Sequence, residues 1–253
     1  MDLLQSALIL IAGVGAGTIN AAVGSGTLIT FPTLLAFGVP PVVANVSNTI
    51  GLVPGSLAGA WGYRRELVGQ RGRILRFGVA ALIGGAVGGI LLLVLPPGAF
   101  EAIVPVLIGL GVVLVITGPR ISRWVAKRHG EAPDDGRERW WVWPAIALLG
   151  VYGGYFGAAQ GVLMIAIIGI GVAESLQRLN ALKNILVAIT NGISGLIFAL
   201  VADVDWKIAA LIAVGATLGG LLGARIGRRL PPNVLRGVIV VVGITALVAF
   251  LLA

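Results

Sequence analysis

Long apolar runs separated by short polar stretches follow one another from one end of the chain to the other. Charged residues fall between these runs and seldom inside them. A run of about 20 apolar residues can cross a bilayer as a helix. The pattern therefore predicts an all-α fold, a polytopic transmembrane helical bundle. The predicted segments are 3–23, 26–38, 42–62, 77–95, 100–118, 141–159, 161–173, 178–202, 206–224 and 234–253.

The longest polar stretch divides the chain into two membrane parts. We predict an N-terminal membrane repeat at 1–118, a charged cytoplasmic linker at 119–140 and a C-terminal membrane repeat at 141–253. The two parts are related, because a shift of 135 residues superposes their landmarks without a gap. The matches include Ala81–Gly88 with Ala216–Gly223, Leu95–Pro97 with Leu230–Pro232, Gly26 with Gly161, and Asn45 with Asn180.

Charge predicts that the two repeats are inverted relative to each other. The loop at 62–76 carries five Arg and is expected inside, whereas its counterpart at 197–211 carries two Asp and one Lys and is expected outside. The loops at 119–139 and 225–236 are also expected inside, with the C-terminus outside. Either all five segments of a repeat cross, or three cross and the first two form a re-entrant hairpin. Inverted repeats are typical of transporters that bind substrate on broken helices near the bilayer midplane.

The composition of the chain argues against several classes of function. The chain is 58% apolar and 11% charged, with a mean hydropathy of +1.03. The net charge is +8, and the Lys and Arg residues that produce it lie between the apolar runs. We therefore expect a protein of the inner cell membrane with no nucleic-acid partner. There is no Cys, and the single His129 lies in the linker. We therefore expect no metal, no cofactor and no enzyme activity, while the sequence leaves a monomer and a homo-oligomer open.

One uncharged stretch, Asn20–Asn48, interrupts the apolar pattern of the first repeat. Its Gly and Pro residues break helices, and we predict a broken or re-entrant helix near Gly24–Gly26. Broken backbone survives in a bilayer only where protein buries it or where it lines a cavity. The stretch is therefore a candidate binding site, although helix packing is an alternative. Its candidate residues are Asn20, Gly24, Ser25, Gly26, Thr27, Asn45 and Asn48.

The second repeat offers a matching break near Gly157–Gly161 and one intramembrane cation, Lys183. A charge inside the membrane is costly and usually functional, so Lys183 is expected to neutralise an anionic substrate. The alternative is a side chain that snorkels to the cytoplasmic edge beside Arg178. Free N–H groups at the helix start after Gly24 would also attract an anion. Buried amides serve either substrate binding or helix–helix hydrogen bonds. The candidate residues here are Gln160, Gly161, Asn180, Lys183 and Asn184.

These two motifs resemble the patterns of the TauE/SafE sulfite exporter family. The first half carries Asn20–Pro32 and then Ala44–Thr49; the second carries Gly150–Gly161 and then Leu179–Asn184. The likeness covers nearly the whole chain except 119–139. It implies a membrane transporter that exports a small anion, sulfite or an organosulfonate. The second half departs from the family's usual glycine triplet, because it reads Ala158-Ala159-Gln160-Gly161. An importer of a sulfur-containing anion and an assembly subunit without transport are the alternatives.

Overall fold

The computed structural model describes residues 2–129 and 138–226, with the isolated positions 237, 241 and 244. This described part folds into nine α-helices and contains no strand. The helices are α1 (Leu3–Ala22), α2 (Thr27–Ala36), α3 (Pro41–Gly62), α4 (Arg71–Val94), α5 (Pro97–His129), α6 (Val142–Tyr155), α7 (Gln160–Gly171), α8 (Leu176–Val201) and α9 (Trp206–Ile226).

The apolar pattern located all nine of these helices, and their bounds differ most in two places. Helix α4 begins at Arg71 rather than at 77, so three Arg predicted for a loop lie on its first turns. Helix α5 continues beyond Gly118 to His129. Both differences have one cause: loss of hydrophobicity marks where a chain leaves the membrane, and Arg and Lys are good helix formers outside it. The predicted segment at 234–253, the inside loop at 225–236 beyond its first two residues, and the C-terminus fall outside the described residues or on isolated positions.

Five of the described helices are long and apolar enough to cross a membrane. They are Leu3–Ala22, Arg71–Val94, Pro97–Gly118, Leu176–Val201 and Trp206–Arg225. Helices α2, α6 and α7 are apolar but short, with 10, 14 and 12 residues. Each of these short helices borders one of the two predicted breaks, whereas α1, on the other side of the first break, has 20 residues. Both predicted helix breaks are therefore present, one between α1 and α2 and the other between α6 and α7.

The two halves exchange their fourth helices. Helix α9 of the second half packs along α1, and helix α4 of the first half packs along α6. Glycines make both contacts close: a Cβ at Gly84 would lie 2.1 Å from the carbonyl oxygen of Ala147, and one at Gly219 would lie 2.1 Å from that of Val14. The GxxxG spacing thus serves helix packing. Helices α3 and α8 pack against each other and against α9 and α4. The side of the membrane that each half faces stays a prediction.

Candidate functional site

The two helix breaks touch each other at a point that we call the crossover, defined by Gly24 and Gly161. The Gly161 N–H donates to the Gly24 carbonyl oxygen at 3.0 Å. A Cβ at Gly24 would lie 2.4 Å from the Gly161 Cα, which is closer than any side chain permits. Gly24 has φ +86°, and Ala159 at the equivalent place has φ +57°. The predicted breaks from the two halves are thus brought together in space.

Helix α1 ends at the crossover, and side chains from α8 hydrogen-bond to its last carbonyl groups. Lys183 Nζ donates to Asn20 O at 2.9 Å and to Ala21 O at 3.3 Å. The amides of Asn180 and Asn184 also donate to Ala21 O, at 3.2 and 3.3 Å. A helix C-terminus leaves carbonyl groups unpaired and carries partial negative charge, so a cation is stabilised there.

Lys183 does not snorkel, because its side chain is 0% exposed and lies inside the protein. A Cβ at Gly161 would lie 2.9 Å from the Lys183 Cδ, so the stem of the lysine passes the crossover directly. Two of the three ammonium N–H groups are used by the carbonyl oxygens of α1. One N–H is left at the crossover for another acceptor.

Helix α2 begins at the crossover, and its first N–H groups lack partners. Among the described residues, none accepts a hydrogen bond from the backbone N–H of Ser25, Gly26 or Thr27, although all three residues are buried. The Ser25 Oγ is also buried without a partner, as is the Nδ2 of Asn48. The Asn48 Oδ1 accepts a hydrogen bond from Thr30 on α2, which brings this amide against the same helix. These unpaired groups are donors, and donors suit an anion.

The second break uses most of its polar side chains internally. Gln160 Nε2 donates to Leu149 O at 3.3 Å, and the Tyr152 hydroxyl donates to Ala158 O. Asn45 Nδ2 donates to Tyr155 O at 2.9 Å, at the end of α6. Its Oδ1 is buried without a partner, as is that of Asn180. Asn45 and Asn180 thus play equivalent parts: each amide holds the end of the broken helix of the opposite half.

Aromatic rings close one flank of the second break. Phe31 on α2 packs edge to face on Phe156 at 5.0 Å between ring centroids, and Phe100 on α5 packs on Tyr155 at 5.6 Å. Phe31 and Phe100 are almost fully buried. This cluster excludes water beside the crossover, and a low local dielectric strengthens every hydrogen bond made there.

A separate charged cluster connects the start of α4 to Glu138 and to the start of α8. Arg73 pairs with Glu138 at 2.8 Å and with Glu174, and Arg178 pairs with Glu174 at 2.6 Å. Arg76 also pairs with Glu138. Partial burial would raise the pKa of Glu174, but the hydrogen bonds and charges of Arg178 and Arg73 outweigh it and lower the pKa below its ordinary value. This cluster lies at the starts of α4 and α8 and in the loops that contain Glu138 and Glu174, and it contains no predicted site residue.

The structure places the predicted candidates in and around the crossover. Asn20 donates to Ser56 on α3 at 3.0 Å, so it also serves helix packing. Sequence reasoning missed Thr30 and Ser56, which bond to Asn48 and Asn20, and the carbonyl groups that accept from Lys183. Within 2–129 and 138–226 there is no group of three or more His, Asp or Glu residues arranged to hold a metal ion.

Comparisons with known proteins identify the family of this chain. A family model described as "Sulfite exporter TauE/SafE" matches residues 9–250. A "Probable membrane transporter protein" of Haemophilus influenzae is 26% identical, over 95% of this chain and 91% of its own length. The Sinorhizobium "Probable membrane transporter protein ORF9" is 24% identical over 97% and 92%. The Escherichia coli "Probable membrane transporter protein YfcA" is 27% identical over 90% and 82%. No solved structure gives a significant match.

Proposed function

Because this chain belongs to the sulfite exporter TauE/SafE family, a family of membrane transporters, we propose that it exports a small anion, sulfite or an organosulfonate, across the inner cell membrane. The substrate passes the crossover between the two halves. Residues of both helix breaks and of α3 and α8 form the binding site: Asn20, Gly24, Ser25, Gly26, Thr27, Asn45, Asn48, Gln160, Gly161, Asn180, Lys183 and Asn184.

The cluster of unpaired donors at the start of α2 is the observation that carries this proposal. Three buried backbone N–H groups, the Ser25 hydroxyl and the Asn48 amide lack acceptors in the described part of the chain. Each unsatisfied buried group costs about 1–3 kcal/mol. An oxyanion with several oxygen atoms supplies acceptors for these donors, and the positive end of α2 stabilises its charge. In this proposal the ammonium of Lys183, which is buried at the same crossover, supplies positive charge for the anion.

The membrane potential gives the direction of the proposed transport. Moving one charge across a potential of about 100 mV is worth about 2.3 kcal/mol. With a negative interior, a monovalent anion is driven outward by roughly fifty-fold. The acidic residues of the described part lie at helix ends or in loops, among them Asp2, Glu66, Glu101, Glu174, Asp203 and Asp205. No carboxylate relay for protons is evident there, so we propose electrogenic export without an obligatory cation.

Flux measured in proteoliposomes tests this proposal. Purified protein is reconstituted with sulfite inside, and a potassium gradient with valinomycin sets the potential. Efflux is expected to rise as the lumen is made negative. The same assay with sulfate, thiosulfate and a panel of sulfonates ranks the substrates. Transport that ignores the potential and needs a proton or sodium gradient would contradict the proposal, and absence of flux for every anion would favour an assembly subunit.

A lysine variant with a matched control tests the site in the same assay. Lys183→Ala is expected to abolish anion flux in a protein that remains monodisperse, because it removes the positive charge at the crossover. Lys207→Ala removes an exposed lysine from α9 and is expected to leave flux unchanged. Equal flux in both variants would remove Lys183 from the binding site.

A further inference from the structure

The end of α1 presents oxygen atoms of the kind that bind a cation. Helix α1 stops at Ala22, so the carbonyl groups of its last turn lose their helical partners. Asn20 O and Ala21 O face side-chain donors from α8 instead of backbone N–H groups. In transporters with broken helices, such C-terminal carbonyl groups coordinate the sodium ion that drives transport. The end of α1 therefore offers the oxygen ligands that a coupling cation needs.

The position is already taken by a side chain. Lys183 Nζ lies 2.9 Å from Asn20 O and 3.3 Å from Ala21 O, and its side chain is 0% exposed. In the described part of the chain, no carboxylate forms an ion pair with Lys183. Its electrostatic partners are the helix end and its carbonyl oxygens. A tethered ammonium in this place does the work of a bound cation.

The amide of Asn180, next to the Lys183 site, has a buried oxygen without a partner. The Nδ2 of Asn180 donates to Ala21 O at 3.2 Å, while the Oδ1 of the same amide is buried and unpaired. The two carbonyl groups of α1 border the space that the lysine tip fills. Shortening Lys183 would open that space beside Gly161, since the lysine Cδ packs there.

We infer that Lys183 is a built-in cation, held at the end of α1 where a free monovalent cation would otherwise bind, and that a shortened side chain at this position creates a binding site for such a cation. The inference deepens the proposed function and rests on it for the claim that transport needs no cation. It explains why export by the natural protein does not require sodium: the carbonyl groups that would bind sodium are occupied.

Thermal unfolding in matched salts tests the inference without any transport. The natural protein, Lys183→Ala and Lys183→Met are purified in detergent, and Tm is measured in sodium, potassium or N-methyl-D-glucamine chloride at equal ionic strength. We expect Lys183→Ala to gain at least about 3 °C in sodium or potassium relative to N-methyl-D-glucamine. The natural protein and Lys183→Met are expected to show no such difference, because ammonium or thioether fills the space. Propylammonium chloride, which replaces most of the missing side chain, is expected to stabilise the alanine variant as well.

Each outcome decides the inference. A folded Lys183→Ala whose Tm is the same in all salts overturns it. If that variant folds in sodium or potassium but not in N-methyl-D-glucamine, the inference is supported. If it folds in no salt, Lys183→Ser is measured in its place, and a Tm independent of the salt, or failure to fold in every salt, overturns the inference. Cation-dependent stability without anion flux in the natural protein would refute the proposed function and leave the cation site standing.

Discussion

The two helix breaks occupy equivalent positions in the two halves and differ in which of their polar groups have hydrogen-bond partners. At the first break, the N–H groups of 25–27 and the Ser25 hydroxyl have no acceptor in the described chain. At the second, Gln160 and Tyr152 bond to neighbouring carbonyl groups. The ends of the preceding helices differ as well: α1 is held by a lysine and two amides, whereas α6 is held by Asn45.

This difference indicates that related halves need not do the same work. Side-chain donors that are satisfied internally, as at the second break, stabilise the fold, and donors that are left open, as at the first, cost stability until a ligand pairs with them. We therefore propose that the first break is the ligand-binding side of the crossover and that the second supports it. Variants that affect one property and spare the other can test this division.

Filling the crossover is expected to have the largest effect on stability. In Gly161→Ala, the new methyl group would lie 2.5 Å from the Gly24 Cα and 2.9 Å from the Lys183 Cδ. We expect a loss of more than about 3 kcal/mol in the free energy of unfolding, measured by denaturant in detergent. Gly192→Ala is the control, because nothing lies within 4 Å of a Cβ there. Equal stability of the two variants would mean that the breaks do not touch.

Removing the open hydroxyl of the first break is expected to weaken anion binding without weakening the fold. Ser25→Ala deletes a buried group that has no partner, so the Tm should not fall. Sulfite affinity, measured as the ligand-induced change in Tm, should drop by about tenfold or more, since hydrogen bonds to charged groups are worth about 1.5–3 kcal/mol.

The equivalent change at the second break is expected to lower stability more than anion affinity. Gln160→Leu removes the amide that donates to Leu149 O, so stability should fall by about 1 kcal/mol, and sulfite affinity should fall less than in Ser25→Ala. A loss of affinity in Gln160→Leu as large as that in Ser25→Ala would end the distinction between the two breaks.

Much of this arrangement could be predicted from sequence, because Gly and Pro in an apolar run mark where a membrane helix breaks. Gly24, Gly26 and Gly157 located both breaks, and the constant shift between the halves paired Asn45 with Asn180. The GxxxG spacing at Gly84 and Gly219 is typical of close helix packing, and a Cβ at either glycine would lie 2.1 Å from a carbonyl oxygen of the neighbouring helix.

The partners of the polar side chains could not be predicted in the same way. A sequence places Lys183 on a helix within the membrane, but which of the surrounding groups it faces depends on how α8 crosses α1. The contact between Gly24 and Gly161 joins residues from different halves, and only tertiary packing creates it. The end of α5 was missed because polarity reports where the chain leaves the bilayer and carries little information on where a helix stops.

The two equivalent asparagines are expected to differ in their contribution to stability. Asn180→Leu leaves Ala21 O with two other side-chain donors, Lys183 and Asn184. Asn45→Leu removes the described side-chain donor to Tyr155 O. Asn45→Leu should therefore be less stable than Asn180→Leu by about 1 kcal/mol in denaturant unfolding. The reverse order would show that the end of α1 is the more fragile of the two.

The charged cluster around Glu174 is expected to have the smallest effect and none on the crossover. In the folded protein the pKa of Glu174 is lowered. The stabilisation from its carboxylate is therefore present above the ordinary pKa of 4.5 and is lost as the pH falls through the folded value. Between pH 6 and 3, Tm should fall less in Glu174→Gln than in the natural protein, by the equivalent of less than about 1 kcal/mol. Anion affinity at pH 7 should be unchanged, and a change would connect this cluster to the site.

The location of a bound anion tests the central claim most directly. Selenite has the shape and charge of sulfite, and its selenium atom scatters anomalously. Crystals of the protein grown in detergent or lipid and soaked in selenite are expected to show an anomalous peak at the crossover, with oxygens within hydrogen-bond distance of Ser25 Oγ and Lys183 Nζ. The peak should be absent in Ser25→Ala at the same concentration. A peak at the Arg73 and Arg178 cluster, with none at the crossover, would contradict the account.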